Sequence, residues 1–236
     1  MTSLALRTLA MLTMLADHLG HACHEMLPEP AYIAMRLAGR LAMPIFCFLI
    51  AEGFFHTRDL KRYAGRLLLF ALVSEIPYDW FMSSGETLVR WSGQNVFFTL
   101  LLGLLAIWLC DMFALRNRTW LSLFGVLACA ALAQLAQTDY GMFGVLFIFV
   151  FYCFRDRPKE KHFAFAGACL LLGLYNYLTS PNSSLTWPII LASAAAAVIP
   201  IWLYNGRKGK GGKALQIAFY VFYPAHLLLI TLFVHL

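Results

Sequence analysis

The first apolar stretch of the chain carries residues that ordinarily avoid the interior of a bilayer, among them Arg7, Asp17, His18 and His21. Arg7 and His18 are eleven positions apart, so on one helix they share a face and lie about 16 Å apart along the axis. An ionisable group near mid-bilayer costs roughly 2.5 to 3.5 kcal/mol on insertion scales, so such residues usually face a protein interior or a cavity. The stretch therefore predicts a functional site, with a fixed cation at one end and proton exchange at His18.

The helix that would hold these residues belongs to a strongly apolar chain. The sequence has 236 residues, of which 61% are hydrophobic and 13% are charged, and its mean hydropathy is +0.71. This composition predicts an all-α, polytopic integral membrane helix bundle of about nine transmembrane helices, with a range of eight to ten, in a single domain over 1–236. The predicted spans are 4–24, 33–56, 63–82, 95–113, 119–136, 139–154, 162–179, 186–204 and 214–234.

Basic residues are distributed unevenly between the two ends of these spans. With the N-terminus inside, every Lys and Arg except Arg36, Arg40 and Arg90 falls on the cytoplasmic side. The positive-inside rule therefore predicts an N-in, C-out orientation, with membrane lipid as the surrounding partner. The net charge of +6 comes from short clusters between apolar runs, a pattern that argues against nucleic-acid binding.

This topology places several ionisable side chains in the outer half of the membrane. Asp17 would point about 100° away from His18 on a helix, so we expect it to pair with Arg36 or Arg40 rather than to orient the imidazole. The arginine that stays unengaged would stabilise an oxyanion. The predicted catalytic residues are His18, Asp17 and Arg40.

Metal binding is a weaker interpretation of the same stretch. His18, His21, Cys23 and His24 lie close together in the sequence, but the i, i+4 histidine pair of zincins is absent. The six cysteines show no Cys-x-x-Cys spacing and fit buried thiols better. No metal is expected.

A second group of residues, on the cytoplasmic side, predicts an anion site. Arg58, Arg62 and Arg66 repeat every fourth residue and would form a basic stripe on one helix face, after Glu52 at the end of the preceding span. With Arg7, the stripe suits phosphate groups. In the alternative interpretation, these residues only fix orientation and contact anionic lipid headgroups.

A donor that is anionic at one end and reactive at the other would suit both sites, and acyl-coenzyme A has that shape. Arg7 and His18 also have the spacing of the Arg-x10-His signature of the transmembrane acyltransferase (acyltransferase-3-like) superfamily. More closely, the chain resembles the TraX family in an ordered set of motifs. These are Asp17-His18, the run Arg36–Leu68, Glu75-Ile76-Pro77, Asn95–Leu100, Asp139-Tyr140-Gly141 and Tyr220–Leu227.

The resemblance implies an acetyltransferase of the bacterial inner membrane, built as one acyltransferase-like domain. The founding activity of the family is acetylation of the N-terminus of an F-type conjugative pilin. Acetyl-CoA would be the donor, and a pilin N-terminus, an envelope glycan or a small molecule the acceptor. The candidates for donor binding are Arg7, Arg58, Arg62 and Arg66. The candidates for acceptor binding are Arg36, Glu52, Glu75, Asp139 and His226.

Two chemical roles are open for His18. It would act either as the general base for the attacking acceptor or as a nucleophile that is acetylated and passes the group outward. Two other function classes also fit a membrane protein of this composition: a proton-coupled small-molecule transporter and a non-catalytic pilus or envelope assembly factor.

Overall fold

The structure is a computed structural model that describes residues 1–179 and 185–234. Over these residues the chain is helical, and its extended pairing is limited to an isolated bridge between Gln94 and Thr138. The all-α prediction is confirmed. The helices are α1 (Ser3–Ala22), α2 (Glu29–Gly39), α3 (Ala42–His56), α4 (Leu60–Met82), α5 (Val96–Ala114), α6 (Thr119–Leu135), α7 (Gly141–Cys153), α8 (Pro158–Thr179), α9 (Thr186–Ala192), a 3₁₀-helix (Ser193–Ala197), α10 (Val198–Trp202) and α11 (Lys213–Val234).

Four of these helical segments are long and apolar enough to cross a bilayer. They are α2 with α3 (Glu29–His56), α5, α8 and most of α11 (Ala214–Val234). Helices α6 and α7 and the segment Thr186–Trp202 are apolar but shorter, and α1 and α4 carry charged residues along their length. The count of nine spans and the N-in, C-out orientation stay predictions.

The predicted span 33–56 is interrupted, because the chain leaves regular helix at Arg40 and Leu41, between α2 and α3. Pro44 explains the position of the break. A proline has no N–H to donate to the carbonyl four residues earlier, here that of Arg40, and its ring crowds that carbonyl. The Arg40 side chain therefore lies at a helix break rather than inside a continuous helix.

The predicted span 186–204 is also irregular. Helix α9 gives way to the 3₁₀-helix Ser193–Ala197 before α10 begins. Pro200 removes the α-helical hydrogen bond that would end on the carbonyl of Ala196, so a tighter turn forms in its place. By contrast, Pro77 and Pro224 lie inside α4 and α11, and both helices continue past them.

Exposed apolar faces are consistent with a lipid environment. On α4, Leu69, Leu72, Val73 and Ile76 recur at helical spacing and are each more than half exposed. Such a contiguous apolar face is rare on the surface of a soluble monomer, since it would be in contact with water.

The helices group into two compact units, Met1–Phe46 with Arg157–Leu236, and Cys47–Asp156. In the first unit α1 packs against α2 and α11, and α8 packs against α9. In the second unit α5, α6 and α7 enclose a core that includes Ala106, Val126 and Val145. The single-domain organisation over 1–236 stays a prediction.

Candidate active site

The first unit holds a buried arrangement of one carboxylate and two guanidinium groups, which we call the arginine cluster (Asp17, Arg36 and Arg40). Nη1 of Arg36 lies 2.9 Å from Oδ1 of Asp17, and Nη2 of Arg40 lies 2.5 Å from Oδ2. Nη1 of Arg36 also donates to the main-chain carbonyl of Asp17 at 3.2 Å. All three residues are less than 9% exposed. Breaking such a pair leaves a buried charge uncompensated, so the cluster constrains how α1 meets α2.

The cluster corrects one detail of the sequence prediction. Asp17 does pair with an arginine, but it pairs with both, so neither is the unengaged arginine expected to bind an oxyanion. The excess of one positive charge over Asp17 nevertheless remains. Arg36 and Arg40 both interact electrostatically with the His18 ring.

Gly39 allows α2 to approach Asp17. A Cβ atom built on Gly39 would lie 2.2 Å from Cβ of Asp17 and 2.4 Å from its Oδ1. Any side chain at position 39 would therefore have to displace the carboxylate or the helix. Trp187 of α9 covers the same cluster, since its ring lies 4.9 Å from Cζ of Arg36 and 5.8 Å from Cζ of Arg40, a cation–π arrangement.

His18 and His226 form the second feature of the first unit, which we call the histidine pair. Nδ1 of His18 lies 2.6 Å from Nε2 of His226, and the two rings stack with centroids 4.9 Å apart. Phe222 stacks on the His226 ring at 4.7 Å, and Tyr223 packs edge-on against both histidines. The contact joins α1 to α11 and brings together two predicted site residues 208 positions apart in sequence.

Hydrogen bonding assigns the tautomers of the histidine pair. Nδ1 of His226 lies 2.8 Å from the carbonyl oxygen of Phe222, which only accepts, so Nδ1 carries the proton. In the neutral ring Nε2 of His226 is then an acceptor, and Nδ1 of His18 must donate to it. The neutral His18 ring consequently has its basic lone pair on Nε2. This order, carbonyl to His226 to His18, resembles the way an orienting group fixes the tautomer of a catalytic histidine.

The second unit contains two carboxylates held by neutral donors, which we call the acid cluster (Glu75 and Asp79). The side-chain amide of Asn95 donates to Oε2 of Glu75 and, at 2.7 Å, to the carbonyl of Ala71. Oδ2 of Asp79 accepts from the main-chain N–H of Arg90 at 2.8 Å. Among the described residues, Oε1 of Glu75 and Oδ1 of Asp79 are buried without a hydrogen-bond partner. The cluster can therefore accept further hydrogen bonds from a cationic or N–H-bearing group.

Asp139 lies in the same unit, at the turn before α7. Its main-chain N–H donates to the carbonyl of Gln94 at 2.9 Å, and its carbonyl accepts from Oγ1 of Thr99 at 2.5 Å. Tyr140 and Gly141 follow with φ of 61° and 46°, so the Asp139-Tyr140-Gly141 motif forms a tight turn.

Glu52 and the basic stripe also lie in the second unit. Glu52 forms ion pairs with Arg155 at 3.6 Å and His56 at 3.5 Å. Helix α4 begins at Leu60 with Asp59 as its N-cap, so Arg58 precedes the helix and the stripe on α4 consists of Arg62 and Arg66 alone. Arg62 pairs with Asp59 at 3.0 Å, and Arg66 lies over the Tyr63 ring.

The chain matches a family model described as TraX protein over residues 3–234. The chain belongs to the TraX family. It is also 31% identical over 233 residues to the Probable fimbrial assembly protein FimC, serogroup H1, of Dichelobacter nodosus, with 94% of this chain and 92% of that protein covered. No solved structure matches this chain. With its apolar helices, the TraX assignment makes this a membrane protein. Its placement in the acyltransferase-3-like superfamily stays a prediction.

Within this TraX-family chain, three residues that shape the site were not among the predicted site residues, although two of them, Gly39 and Asn95, lie in motifs of the resemblance. Gly39 stands between Arg36 and Arg40, and a glycine inside a helical pattern is itself a signal of close approach. Asn95 precedes the apolar run of α5, and such a position predicts an N-cap, which the bond from the N–H of Phe97 at 3.0 Å confirms. Trp187 gave no signal, since its contact with the arginines depends on tertiary packing.

The TraX-family chain has no group of three or more His, Cys, Asp or Glu side chains suited to a metal ion within the residues that the structure describes. Its cysteines there are free thiols. The polar groups that the site brings together are imidazole, guanidinium and carboxylate.

Proposed function

We propose that this protein is an acetyltransferase of the bacterial inner membrane. It would move an acetyl group from cytoplasmic acetyl-CoA to an amine or hydroxyl at or beyond the outer face. The observation that carries the proposal is the histidine pair, because hydrogen bonding through His226 to the Phe222 carbonyl places the lone pair of His18 on Nε2. A half-buried imidazole with an imposed tautomer suits a general base or an acyl carrier better than a structural contact.

In the general-base route, Nε2 of His18 takes a proton from the acceptor as its nitrogen or oxygen attacks the thioester carbonyl. The new C–N or C–O bond forms, and the tetrahedral intermediate collapses with loss of the C–S bond. The proton on His18 then passes to the departing thiolate, so the products are the acetylated acceptor and coenzyme A. His226 is a positioning residue in this route, since it acts on the substrate only through His18.

In the relay route, Nε2 of His18 itself attacks the thioester carbonyl and the C–S bond breaks. The acetylated ring gives up its Nδ1 proton, which passes to the departing thiolate, so coenzyme A leaves as the thiol. The acceptor then attacks the carbonyl of the acetyl-imidazole, the C–N bond to the ring breaks, and the acceptor's proton returns to His18. Coenzyme A would stay on the cytoplasmic side in this route. Both routes use the same nitrogen.

The arginine cluster supports either route through its net charge. One carboxylate facing two guanidinium groups leaves one positive charge, and both arginines interact electrostatically with His18. A fixed positive charge in a dry site stabilises the negative oxygen of a tetrahedral intermediate without having to reorganise. We assign this role to Arg40 and Arg36 together, with Asp17 holding them in place.

For the acceptor, we propose an exported amine, with a pilin N-terminus as the first choice. The name of the Dichelobacter nodosus relative, a probable fimbrial assembly protein, supports a pilus connection. The acid cluster offers buried carboxylate oxygens suited to an ammonium group. Glu75 is therefore assigned to acceptor binding, and Asp139 and Glu52 remain candidate binding residues. An envelope glycan remains the alternative acceptor. Arg7, Arg58, Arg62 and Arg66 are proposed for the donor.

The decisive test is acetyl transfer by the purified protein in detergent, with radiolabelled acetyl-CoA and a short peptide that has a free N-terminal amine. His18→Ala should lose about 10²- to 10⁴-fold in kcat, the usual contribution of a general base, or all activity in the relay route. His24→Ala, an exposed histidine beyond the end of α1, is the matched control and should keep full activity. Normal turnover in His18→Ala would refute the assignment.

His226 can be tested in the same assay. His226→Gln keeps an oxygen able to accept from Nδ1 of His18, whereas His226→Ala does not. If His226 sets the tautomer, the Gln variant should retain clearly more activity than the Ala variant. Equal activity in the two variants would reduce His226 to a packing role.

A further experiment separates the two routes. A radiolabelled acetyl group trapped on His18 with acetyl-CoA alone would select the relay route.

A second function, a non-catalytic role in fimbrial assembly, is favoured by the name of the same relative. This function predicts that the wild type transfers no acetyl group to any acceptor. It also predicts normal pilus assembly in a strain carrying His18→Ala. The acetyltransferase instead predicts unmodified acceptor in that strain, which mass spectrometry of exported proteins would detect.

A further inference from the structure

A cavity of about 280 Å³ lies where the start of α1 meets the segment that precedes α11, within the first unit. Arg7, Lys208 and Gln216 contribute side chains to its wall. Gly209, Gly211 and Gly212 also line it, and a glycine can present only main-chain atoms. The apolar side chains of Leu4, Leu215 and Phe219 complete the wall, which therefore combines two cations, main-chain groups and an apolar side, with no carboxylate.

The segment that forms this wall is fixed to α1. The carbonyls of Arg207 and Lys208 accept from the N–H groups of Ser3 and Leu4 at 2.9 and 3.2 Å, which satisfies donors that the first turn of a helix leaves unpaired. At Gly209 φ is +82°, and a Cβ there would lie 2.9 Å from both Cβ of Leu4 and Oγ1 of Thr2. Backbone conformation and close approach both require glycine, so the cavity is a built feature.

The two cations of the cavity lack counterions. Within the described part of the chain, neither Arg7 nor Lys208 has a carboxylate at salt-bridge distance. Arg7 is instead held over the Phe219 ring, with Cζ 5.9 Å from its centroid. Paired cations with glycine main chain are the usual composition of phosphate sites.

The volume of the cavity also limits which ligands it can hold. Pockets that enclose a complete small molecule generally measure about 300 to 1,000 Å³, and this cavity of about 280 Å³ lies at the lower end of that range. A phosphomonoester or diphosphate group fits both the volume and the positive wall.

We propose that this cavity binds a phosphate group, with Lys208 as the second cation beside Arg7 and the glycines at 209, 211 and 212 as the main-chain wall. The phosphate would belong either to the nucleotide end of the donor or to an anionic lipid headgroup. The first source rests on the proposed acetyltransferase function, and the second does not.

The test measures binding without acetyl transfer, so it is independent of the proposed catalysis. Adenosine 3′,5′-bisphosphate is titrated calorimetrically into the detergent-solubilised full chain. Lys208→Ala should weaken binding about tenfold, equivalent to roughly 1.4 kcal/mol. Lys210→Ala removes an equal charge from the same segment at an exposed residue outside the cavity wall, and it should change affinity little.

A second arm distinguishes the two sources of phosphate. The same variants are compared in nanodiscs of phosphatidylglycerol and of phosphatidylcholine by native mass spectrometry. Loss of retained phosphatidylglycerol in Lys208→Ala, with no nucleotide binding by the wild type, would assign the site to lipid. Nucleotide binding that depends on Lys208 would assign it to the donor, even if the wild type transferred no acetyl group.

Equal behaviour of Lys208→Ala and Lys210→Ala in both arms would overturn the proposal. Lys208 is exposed, so its replacement should leave the thermal unfolding midpoint unchanged. Lys208→Arg, which keeps the charge, should retain most of the affinity. Failure of that variant to bind while still folded would count against a purely electrostatic site.

Discussion

The arginine cluster and the acid cluster both bury carboxylates, but they satisfy them differently. Asp17 faces two guanidinium groups, whereas Glu75 and Asp79 accept from an amide and a main-chain N–H. In the first, opposite charges compensate each other, so removing one leaves the others buried and unpaired. In the second, the donors are neutral, and no described cation lies at salt-bridge distance from either carboxylate. We therefore infer that the arginine cluster fixes the geometry of the helices around it, whereas the acid cluster can still bind a ligand.

The largest expected effect comes from the same isosteric change made in both regions. Asp17→Asn should lower the free energy of unfolding by about 3 to 5 kcal/mol, because it leaves two buried cations without their counterion. Asp79→Asn keeps an oxygen that can accept from the N–H of Arg90, so it should cost about 1 kcal/mol or less. Thermal unfolding of both variants in one detergent measures the difference.

This pair of variants can break the comparison directly. If Asp79→Asn destabilises the protein as much as Asp17→Asn, the acid cluster must also compensate charge, and the distinction between the two regions fails. Partial recovery of stability in Asp17→Asn by a second change, Arg36→Met, would show that uncompensated cations caused the loss, since Arg40 would still lack its counterion.

An intermediate effect is expected from steric disruption of the arginine cluster. Gly39→Ala would place a methyl group 2.2 Å from Cβ of Asp17, and overpacking of this kind typically costs about 1 to 3 kcal/mol. Acetyl transfer should fall as well, because Asp17 precedes His18 on α1. Thermal unfolding and the transfer assay on one preparation measure both.

Gly167→Ala is the matched control for this change. Gly167 also lies in a helix of the first unit, and a Cβ built there meets nothing within 4 Å. Alanine is the better helix former by about 1 kcal/mol, so that variant should be neutral or slightly stabilised. Equal losses at positions 39 and 167 would contradict the close approach of α2 to Asp17.

Helix positions were largely predictable from the sequence, because long apolar runs separated by charged or Pro- and Gly-containing segments fix where helices begin and end. The positions at which helices break were not predictable. Pro44 and Pro200 interrupt their helices, whereas Pro77 and Pro224 do not. All four remove one hydrogen bond, so packing decides whether the helix bends, breaks or continues.

The candidate site was also predictable from the sequence only in part. The charge balance of Asp17 with Arg36 and Arg40 was foreseeable, since buried ions need partners. The contact between His18 and His226 was not, because residues 208 positions apart in sequence meet only through the packing of α1 on α11. The role of Gly39 follows from that same packing. Sequence reasoning thus identified which residues need partners and left open which partner each would find.

The smallest expected effect concerns ligand capacity in the acid cluster. Glu75→Gln keeps the oxygen that accepts from Asn95 but removes the negative charge, so the fold should change little. If Glu75 binds the ammonium of an amine acceptor, KM for that acceptor should rise about three- to tenfold while kcat stays nearly constant, a loss of roughly 0.7 to 1.4 kcal/mol in binding. Glu86→Gln, at an exposed acid, controls for total charge. A fall in kcat with unchanged KM would place Glu75 in the chemical step instead, and the acid cluster would then share the catalytic role assigned to the first unit.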